Sequence, residues 1–356
     1  MKKIICVVGA RPQFIKLAPL SKVIRQHFIE VIVHTGQHYD YEMSKSFFDE
    51  LGIPTPDYNL EVGSGKSGWQ IGTMLIKLEE IFIKENPDAV IVFGDTNSTA
   101  AAAIAAVKNN IKLAHVEAGL REFDKTIPEE TNKLITDILC DYYLCPTPTA
   151  ITILKDMGIQ KGVFNVGDVM IDIIQQNLDK IKSNKDILTK NNVREKEYVF
   201  LTCHRAANTD NIDNLKEILS SLSEINYPII FPIHPRTKKV IEQNNLEHLI
   251  NIPNLILVPP IGYFDTQTLI HFAKFVLTDS GGVTKEAYFH KVQGILLDKQ
   301  TEWVETIQEG WNFQAGPNKA KILDAVSQLG NPGKNSNCLG DGFACQKIVE
   351  ILLKEL

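Results

Sequence analysis

The chain has 356 residues, enough for two domains of ordinary size, each with its own core. Its 37 Lys and Arg against 43 Asp and Glu give a formal net charge of -6, the wrong sign for a surface that neutralises a phosphate backbone, which argues against nucleic acid as a general partner. No apolar run reaches the roughly 18 residues of a membrane span, and 44% apolar with 22% charged residues marks a globular protein rather than a disordered one. At the N-terminus Lys2-Lys3, Ile4 to Val8 and then Gly9-Ala10-Arg11 give an apolar stretch too short for a signal peptide, so it reads as a first strand of a cytoplasmic protein. Six cysteines show no C-x-x-C pair, as expected of reduced, buried thiols and not of a zinc site.

Short β-branched runs alternate with helical patterns from end to end, the sequence form of a parallel sheet with crossover helices. In the first half the runs are Lys3 to Val8, Glu30 to His34, Ala89 to Phe93, Lys112 to Val116 and Tyr142 to Cys145. They are continuous rather than alternating, as in strands covered on both faces. Helices are predicted over about 12–26, 68–86, 97–109 and 129–140. The lysine-rich stretch Lys180 to Lys196 reads as a linker or exposed hairpin. A second series follows: Tyr198 to Cys203, Ile229 to Ile233, Leu255 to Val258, Phe275 to Thr278 and Gly294 to Leu297. The pattern predicts an α/β protein of two Rossmann-like doubly wound domains, residues 1–170 and 171–356, with the ligand between them at the carboxyl ends of the strands. The last helical pattern, Phe343 to Leu353, is a candidate to pack back on the first domain.

In such sheets the chemistry sits where strands end. The first strand exits at Gly9-Ala10-Arg11-Pro12-Gln13-Phe14-Ile15-Lys16, a tight turn into a helix N-terminus with Arg11 and Lys16 nearby, suited to an anion. The third exits at Gly94-Asp95 and the fourth at Glu117-Ala118-Gly119-Leu120-Arg121, and Pro128-Glu129-Glu130 opens a helix. Asp95, Glu117 and one of Glu129 or Glu130 thus fall on carboxyl-end loops of one sheet. Clustered there, carboxylates push one another's pKa apart and give one site both an acid and a base. In the second half Thr202-Cys203-His204-Arg205 and Ile233-His234-Pro235-Arg236 leave successive strands, and His204 is a candidate proton carrier. Thr278-Asp279-Ser280-Gly281-Gly282 opens a helix whose N–H groups and Ser280 hydroxyl can hold a diphosphate. Glu286, one turn in, can accept bonds from a ribose diol. Of six arginines, Arg11, Arg121, Arg205 and Arg236 lie in these loops, a distribution that favours bidentate oxyanion recognition.

Other patterns carry less. Gly63-Ser64-Gly65-Lys66-Ser67-Gly68 spells G-x-G-x-x-G, but Leu60 stands where a Walker loop needs glycine and the stretch does not follow the first strand, so it reads as a mobile loop. His34 and His38 flank a Thr-Gly turn and do not form a metal pair. Trp303 and Trp311 read as packing residues rather than a stacking platform.

Taken together, Gly9 to Lys16, His34-Thr35-Gly36-Gln37-His38, Gly94-Asp95-Thr96, His115 to Arg121, Pro128-Glu129-Glu130, His204-Arg205, His234-Pro235-Arg236 and Thr278 to Gly282 resemble the non-hydrolysing UDP-N-acetylglucosamine 2-epimerases, in order along nearly the whole chain. The resemblance implies the glycosyltransferase type B fold, a homodimer, and interconversion of UDP-GlcNAc and UDP-ManNAc without a nicotinamide or other cofactor. It implies Asp95, Glu117 and Glu129 as catalytic carboxylates, with His204 assisting departure or protonation. Arg11, Lys16, His204, Arg205, His234, Arg236, Ser280, Gly281, Gly282 and Glu286 would hold the UDP-sugar. Thr301-Glu302-Trp303-Val304-Glu305 with Gly310-Trp311-Asn312 resembles a branch that includes UDP-2,3-diacetamido-glucuronate 2-epimerases. Three positions depart from the family pattern: Ala207 precedes Asn208 where a Glu is usual, Thr73 stands for an arginine, and Asp298, beside Lys299, stands for the arginine of an L-R-D motif. Thr73 and Ala207 resemble positions tied to activation by a second UDP-GlcNAc, which this chain is then expected to lack.

Overall fold

The β-branched runs of the sequence become strands that no solvent reaches: every side chain of Ile4–Val8 and Ala89–Phe93 is fully buried. The computed structural model describes residues 1–37 and 48–356, so His38 lies outside the described residues. Two units emerge, Met1–Gln176 with Leu339–Leu356 and Asn177–Cys338.

In the first unit seven strands, β1 (Lys3–Val8), β2 (Ile29–His34), β3 (Tyr58–Asn59), β4 (Ala89–Phe93), β5 (Lys112–Val116), β6 (Tyr142–Cys145) and β7 (Val163–Asn165), lie in the order β3-β2-β1-β4-β5-β6-β7. All their pairings are parallel. The order reverses between β1 and β4, the switch point where a doubly wound sheet opens a crevice at its carboxyl edge. One face is covered by the helices Ser67–Glu85, Asn97–Lys108 and Pro128–Leu139, which pack side by side. The middle helix is an alanine run, with Ala100–Ala103, Ala105 and Ala106 at most 1% exposed, and these small side chains let its neighbours approach closely. The final helix, Ala344–Glu355, packs on Arg11–Ile24 and Val169–Gln176. Asp172 holds it: the buried carboxylate accepts the N–H groups of Ala344 (3.1 Å) and Cys345 (2.7 Å), the orphan donors of a helix N-terminus.

The second unit repeats the plan with β8 (Val199–Thr202), β9 (Ile229–Pro232), β10 (Leu255–Val258), β11 (Phe275–Thr278), β12 (Gln293–Leu296) and β13 (Asn312–Gln314) in the order β10-β9-β8-β11-β12-β13. These pairings are also parallel. Its core has two layers. Val199, Leu201, Phe275 and Leu277 belong to one cluster, while Tyr198, Phe200 and Val276 belong to the other, because successive strand residues face opposite sides.

Three of the four edge strands, β3, β7 and β13, are absent from the sequence reading because two or three residues carry no apolar period. The lysine-rich stretch is not a linker. It forms the helices Leu178–Ser183 and Asp186–Lys190, which bury Ile181, Ile187 and Leu188 and pack on the helix Tyr263–Phe272. The six cysteines are free thiols, five of them buried and Cys338 partly exposed. No helix among the described residues is long and apolar enough to cross a membrane.

Two stability predictions follow from buried polar groups. Asp172→Ala removes the acceptor for two helix N-terminal donors, and thermal unfolding should show a loss of about 1–3 kcal/mol. His271 and His290 face each other, Nδ1 to Nδ1 at 3.2 Å, with His290 Nε2 3.0 Å from Gln267. Burial first, then Lys196 and Lys182, lowers His271 to about 4, and burial with His271 lowers His290 well below its usual value. The unfolded chain takes protons near the ordinary 6.5 that the folded pair refuses. Stability is therefore complete above that pH and falls as the pH drops toward 4. The urea midpoint should fall between pH 7 and 5, and replacing both histidines by glutamine should flatten that fall.

Candidate active site

At the switch point of the first unit, side chains cross-link the loops that leave the strands. Gln13 is fully buried: its amide oxygen accepts the N–H of Gly9 (2.7 Å) and Ala10 (3.1 Å), and its amide nitrogen donates to Phe93 O (2.9 Å) and Thr99 Oγ1 (3.0 Å). The exits of β1 and β4 are thereby tied together. Gln37 does the same for the exit of β2, accepting from the Ser98 N–H (3.0 Å) and hydroxyl (2.7 Å).

Above this frame Glu117 leaves β5 with φ +74°, in the left-handed region that costs a non-glycine residue roughly 1–3 kcal/mol. Its carboxylate pairs with the ammonium of Lys16, which is 5% exposed. Gly94 makes room for this pair. Its φ is +58°, and a Cβ there would stand 3.1 Å from Lys16 Nζ and 3.3 Å from Glu117 Oε2. Lys133 lies 3.5 Å from Asp95 and 3.6 Å from Glu122. Glu117 and Asp95 thus each stand beside a buried lysine. Of the two acids that open the helix Pro128–Leu139, Glu130 is buried and accepts the Glu122 N–H (2.8 Å), whereas Glu129 is exposed. Arg11, on the first turn of its helix, is exposed.

Asp137 was not singled out by the sequence, yet it organises these loops. Its Oδ1 meets His115 Nδ1 at 2.6 Å, and its Oδ2 accepts the Gly119 N–H (3.1 Å) and meets Arg121 Nη2 at 2.7 Å. Burial pushes its carboxyl up, but His115 and Arg121 outweigh burial and hold it below the ordinary value. His115 Nε2 donates to Gly94 O (2.7 Å). Both ring nitrogens therefore face oxygen atoms, one of a carboxylate and one of a backbone carbonyl. Arg121, expected from the sequence to bind an oxyanion, is instead buried against Asp137.

In the second unit the switch point lies between β8 and β11, and Asp279 spans it. One of its oxygens accepts the N–H groups of His204 and Arg205, both at 2.8 Å, and the other lies 3.6 Å from His204 Nδ1. The His204 ring is 5.7 Å from that of His234. His234 caps the helix Pro235–Gln243 by accepting the Arg236 N–H (3.1 Å), which leaves the ring proton on Nε2. Arg236 reaches both oxygens of Asp210 at 2.6 Å, and Arg205 pairs with Asp298 at 2.9 Å. Burial first and Asp279 as well raise the Asp298 carboxyl, while Arg205 pulls it down; the net is upward. Ser280 caps the helix Gly281–Phe289, accepting from the Val283 N–H, so Gly281 and Gly282 form the first turn of an anion-receptive N-terminus. Glu286 lies further along the same helix, 4% exposed. Lys133, Asp137, Asp210 and Asp279 are the functional neighbours that sequence reasoning missed. For Asp279 a signal existed, since it stands beside Ser280 at a strand exit. No group of three or more His, Cys, Asp or Glu among the described residues is arranged to hold a metal ion.

A family model described as UDP-N-acetylglucosamine 2-epimerase matches residues 22–353. A UDP-N-acetylglucosamine 2-epimerase homolog of Methanococcus maripaludis is 54% identical over 353 residues, 98% of this chain and 99% of its own length. The UDP-2,3-diacetamido-2,3-dideoxy-D-glucuronate 2-epimerase of Pseudomonas aeruginosa is 40% identical over 362 residues, 99% of both chains. Among solved structures, Methanocaldococcus jannaschii UDP-GlcNAc 2-epimerase in complex with UDP-GlcNAc and UDP superposes with a TM-score of 0.91 at 41% identity, over 99% of both chains. With two parallel-sheet units carrying acids at one switch point and an anion-receptive helix at the other, and with a family match along nearly its whole length, the chain belongs to the UDP-N-acetylglucosamine 2-epimerase family and has its α/β, glycosyltransferase type B fold.

Proposed function

We propose that the protein interconverts UDP-GlcNAc and UDP-ManNAc by eliminating and re-adding UDP. The observation that carries this reading is the family match over residues 22–353; the strand-exit chemistry supplies a mechanism. The proton on sugar carbon 2 is not adjacent to a carbonyl, so its direct removal is too slow at neutral pH. In the proposed route a carboxylate takes that proton as the bond from carbon 1 to the diphosphate oxygen breaks. The electron pair of the C–H bond becomes the double bond of 2-acetamidoglucal, and UDP leaves with the pair of the C–O bond. Delivery of a proton to the opposite face of carbon 2, with UDP returning to carbon 1, completes inversion. Such a route needs two proton-transfer groups and a held diphosphate.

We assign proton transfer to Asp95, Glu117 and Glu129, with His204 serving the leaving group. Lysine pairing supports Glu117 and Asp95 in this role by holding each carboxylate in place at its strand exit. The strained backbone at Glu117 supports it too. Arg11, Arg205, Ser280, Gly281 and Gly282 would hold the diphosphate, Glu286 the ribose, and Lys16, His234 and Arg236 the shape and charge of the site. Such a protein uses nucleotide sugars in the cytoplasm, and its product would feed cell-surface polysaccharide synthesis. Conversion of UDP-2,3-diacetamido-glucuronate by the same steps is the second reading, favoured by the Pseudomonas aeruginosa relative and by Glu302-Trp303-Val304-Glu305.

The test is proton NMR in deuterium oxide with each sugar in turn. Deuterium at carbon 2 together with the manno isomer is expected, and the sugar that reacts identifies the substrate. Glu117→Gln should lower turnover at least about a hundredfold, the scale of a lost general acid or base. No exchange with either sugar, in a protein that still binds UDP, would move the assignment to a glycosyltransferase or a silent nucleotide-sugar binder.

We also infer a homodimer. Trp69, Ile76 and Ile83 recur every seven residues on the helix Ser67–Glu85 and are 55%, 61% and 68% exposed. Exposed large apolar side chains repeated along one helix face are covered by self-pairing about a two-fold axis. Ile76→Asp should turn a dimer into a monomer in sedimentation velocity; a monomeric wild-type protein would end this inference.

A further inference from the structure

The two oxygens of Asp279 are used unequally. Oδ2 accepts the N–H groups of His204 and Arg205, both at 2.8 Å, and the Asn208 amide approaches it at 3.4 Å. Oδ1 is buried and has no hydrogen-bond partner among the described residues, yet His204 Nδ1 lies 3.6 Å from it. A buried carboxylate oxygen normally has a donor. The adjacent Cys203 thiol, which burial and then Asp279 push well above its ordinary pKa, is a weak donor; an imidazole N–H is a strong one. The Asp279 side chain is fully buried and fixed by its backbone bonds, whereas the His204 side chain is 41% exposed, so the ring is the part that can turn. A movement of about half an ångström brings Nδ1 to hydrogen-bonding distance. Catalytic hydrogen bonds often close in this way only when substrate is bound.

We propose that Asp279 is a positioning residue for the reaction: its Oδ1 takes the Nδ1–H of His204, which fixes the tautomer of the ring and presents Nε2 to the nucleotide sugar. This rests on the reading of the protein as a UDP-sugar 2-epimerase in which His204 serves the leaving group. The two ring nitrogens point to different edges, so with Nδ1 on the buried carboxylate Nε2 stands at the exposed edge. As UDP departs, a proton on Nε2 passes to the diphosphate oxygen released from carbon 1. When that oxygen bonds to carbon 1 again the proton returns to Nε2, and none is gained or lost over the cycle. The imidazolium in this exchange holds its other proton on Nδ1, where the carboxylate balances it, as the aspartate of a Ser-His-Asp triad does. The neighbouring His234, 5.7 Å away between ring centroids, instead uses Nδ1 to accept the Arg236 N–H, so the two rings are held in opposite tautomers.

Asp279→Asn tests this, because the amide oxygen can still accept both backbone N–H groups while the amide nitrogen, facing Nδ1, moves the ring proton to Nε2. Turnover of the sugar that the wild type converts should fall at least about a hundredfold, with KM changed by no more than about twofold and the melting temperature preserved. Protein labelled with ¹⁵N-histidine supplies a second readout, with H204Q identifying the His204 signals. In the UDP complex, long-range proton–nitrogen correlations should show His204 protonated at Nδ1 in the wild type and at Nε2 alone in D279N. Wild-type turnover in D279N, a loss of turnover with the tautomer unchanged, or a wild-type His204 with Nδ1 bare would overturn the proposal and leave the epimerase reading intact. The wild-type spectrum decides the matter even where D279N does not fold. A wild-type protein that binds UDP but converts neither sugar, or that fails to bind UDP, would overturn the epimerase reading and the positioning role with it.

Discussion

Each unit depends on one buried aspartate. In the first, Asp137 sits between His115 and Arg121 and takes the Gly119 N–H, while His115 passes the constraint to Gly94 O. The turns after β4 and β5 are the ones that carry Asp95 and Glu117, so a single carboxylate fixes both. A buried charge of this sort is tolerated only when it is paired and fully hydrogen-bonded, and removing one partner strands the rest at a cost of roughly 3–5 kcal/mol. In the second unit Asp279 repeats the device with backbone donors, holding His204 and Arg205 across β8 and β11. Neither aspartate needs to touch substrate to determine where the reacting groups stand.

The same logic accounts for the glycine at 94. Glu117 occupies a backbone conformation that favours glycine, and it persists because Lys16, Gly94 and the β5 turn leave its carboxylate no other place. Strain held by surrounding contacts keeps the group from relaxing away, which would suit the proposed base that must meet a carbon-bound proton.

The strands of both sheets were legible because buried parallel strands write themselves as unbroken β-branched runs: β1, β4, β5, β6, β10 and β11 have the bounds the sequence predicts. Three of the four edge strands, β3, β7 and β13, were not, being too short to show a period. The helices at Leu178–Ser183 and Asp186–Lys190 were hidden because their three buried residues are outnumbered by lysines and asparagines. Strand-exit position was enough to place Asp95, Glu117, His204 and Ser280 on loops that follow β4, β5, β8 and β11. It could not separate Glu129 from Glu130, whose different burial depends on a contact with the Glu122 backbone. It also misjudged Arg121, since an arginine that follows a strand exit looks the same whether it faces a ligand or a buried aspartate 16 residues later in the chain. Ion pairs between distant residues are the information that local pattern lacks.

The pairing of arginines with aspartates in the second unit bears on how a diphosphate is handled. Arg236 with Asp210 is an exposed pair, and Arg205 with Asp298 is exposed on the arginine side. Exposed pairs are worth about 0–1 kcal/mol, so a diphosphate can exchange with the aspartates at little cost and gain directed donors in return. The aspartates in turn recapture the guanidinium groups when the ligand leaves, which keeps binding weaker than the number of cations suggests. For the proposed chemistry that balance is useful: UDP must stay close while the glycal exists, yet the finished UDP-sugar must depart. In the proposed site the neutral N–H groups at Gly281 and Gly282 would orient the phosphates without adding net positive charge, and orientation rather than raw affinity is what returning UDP to carbon 1 requires.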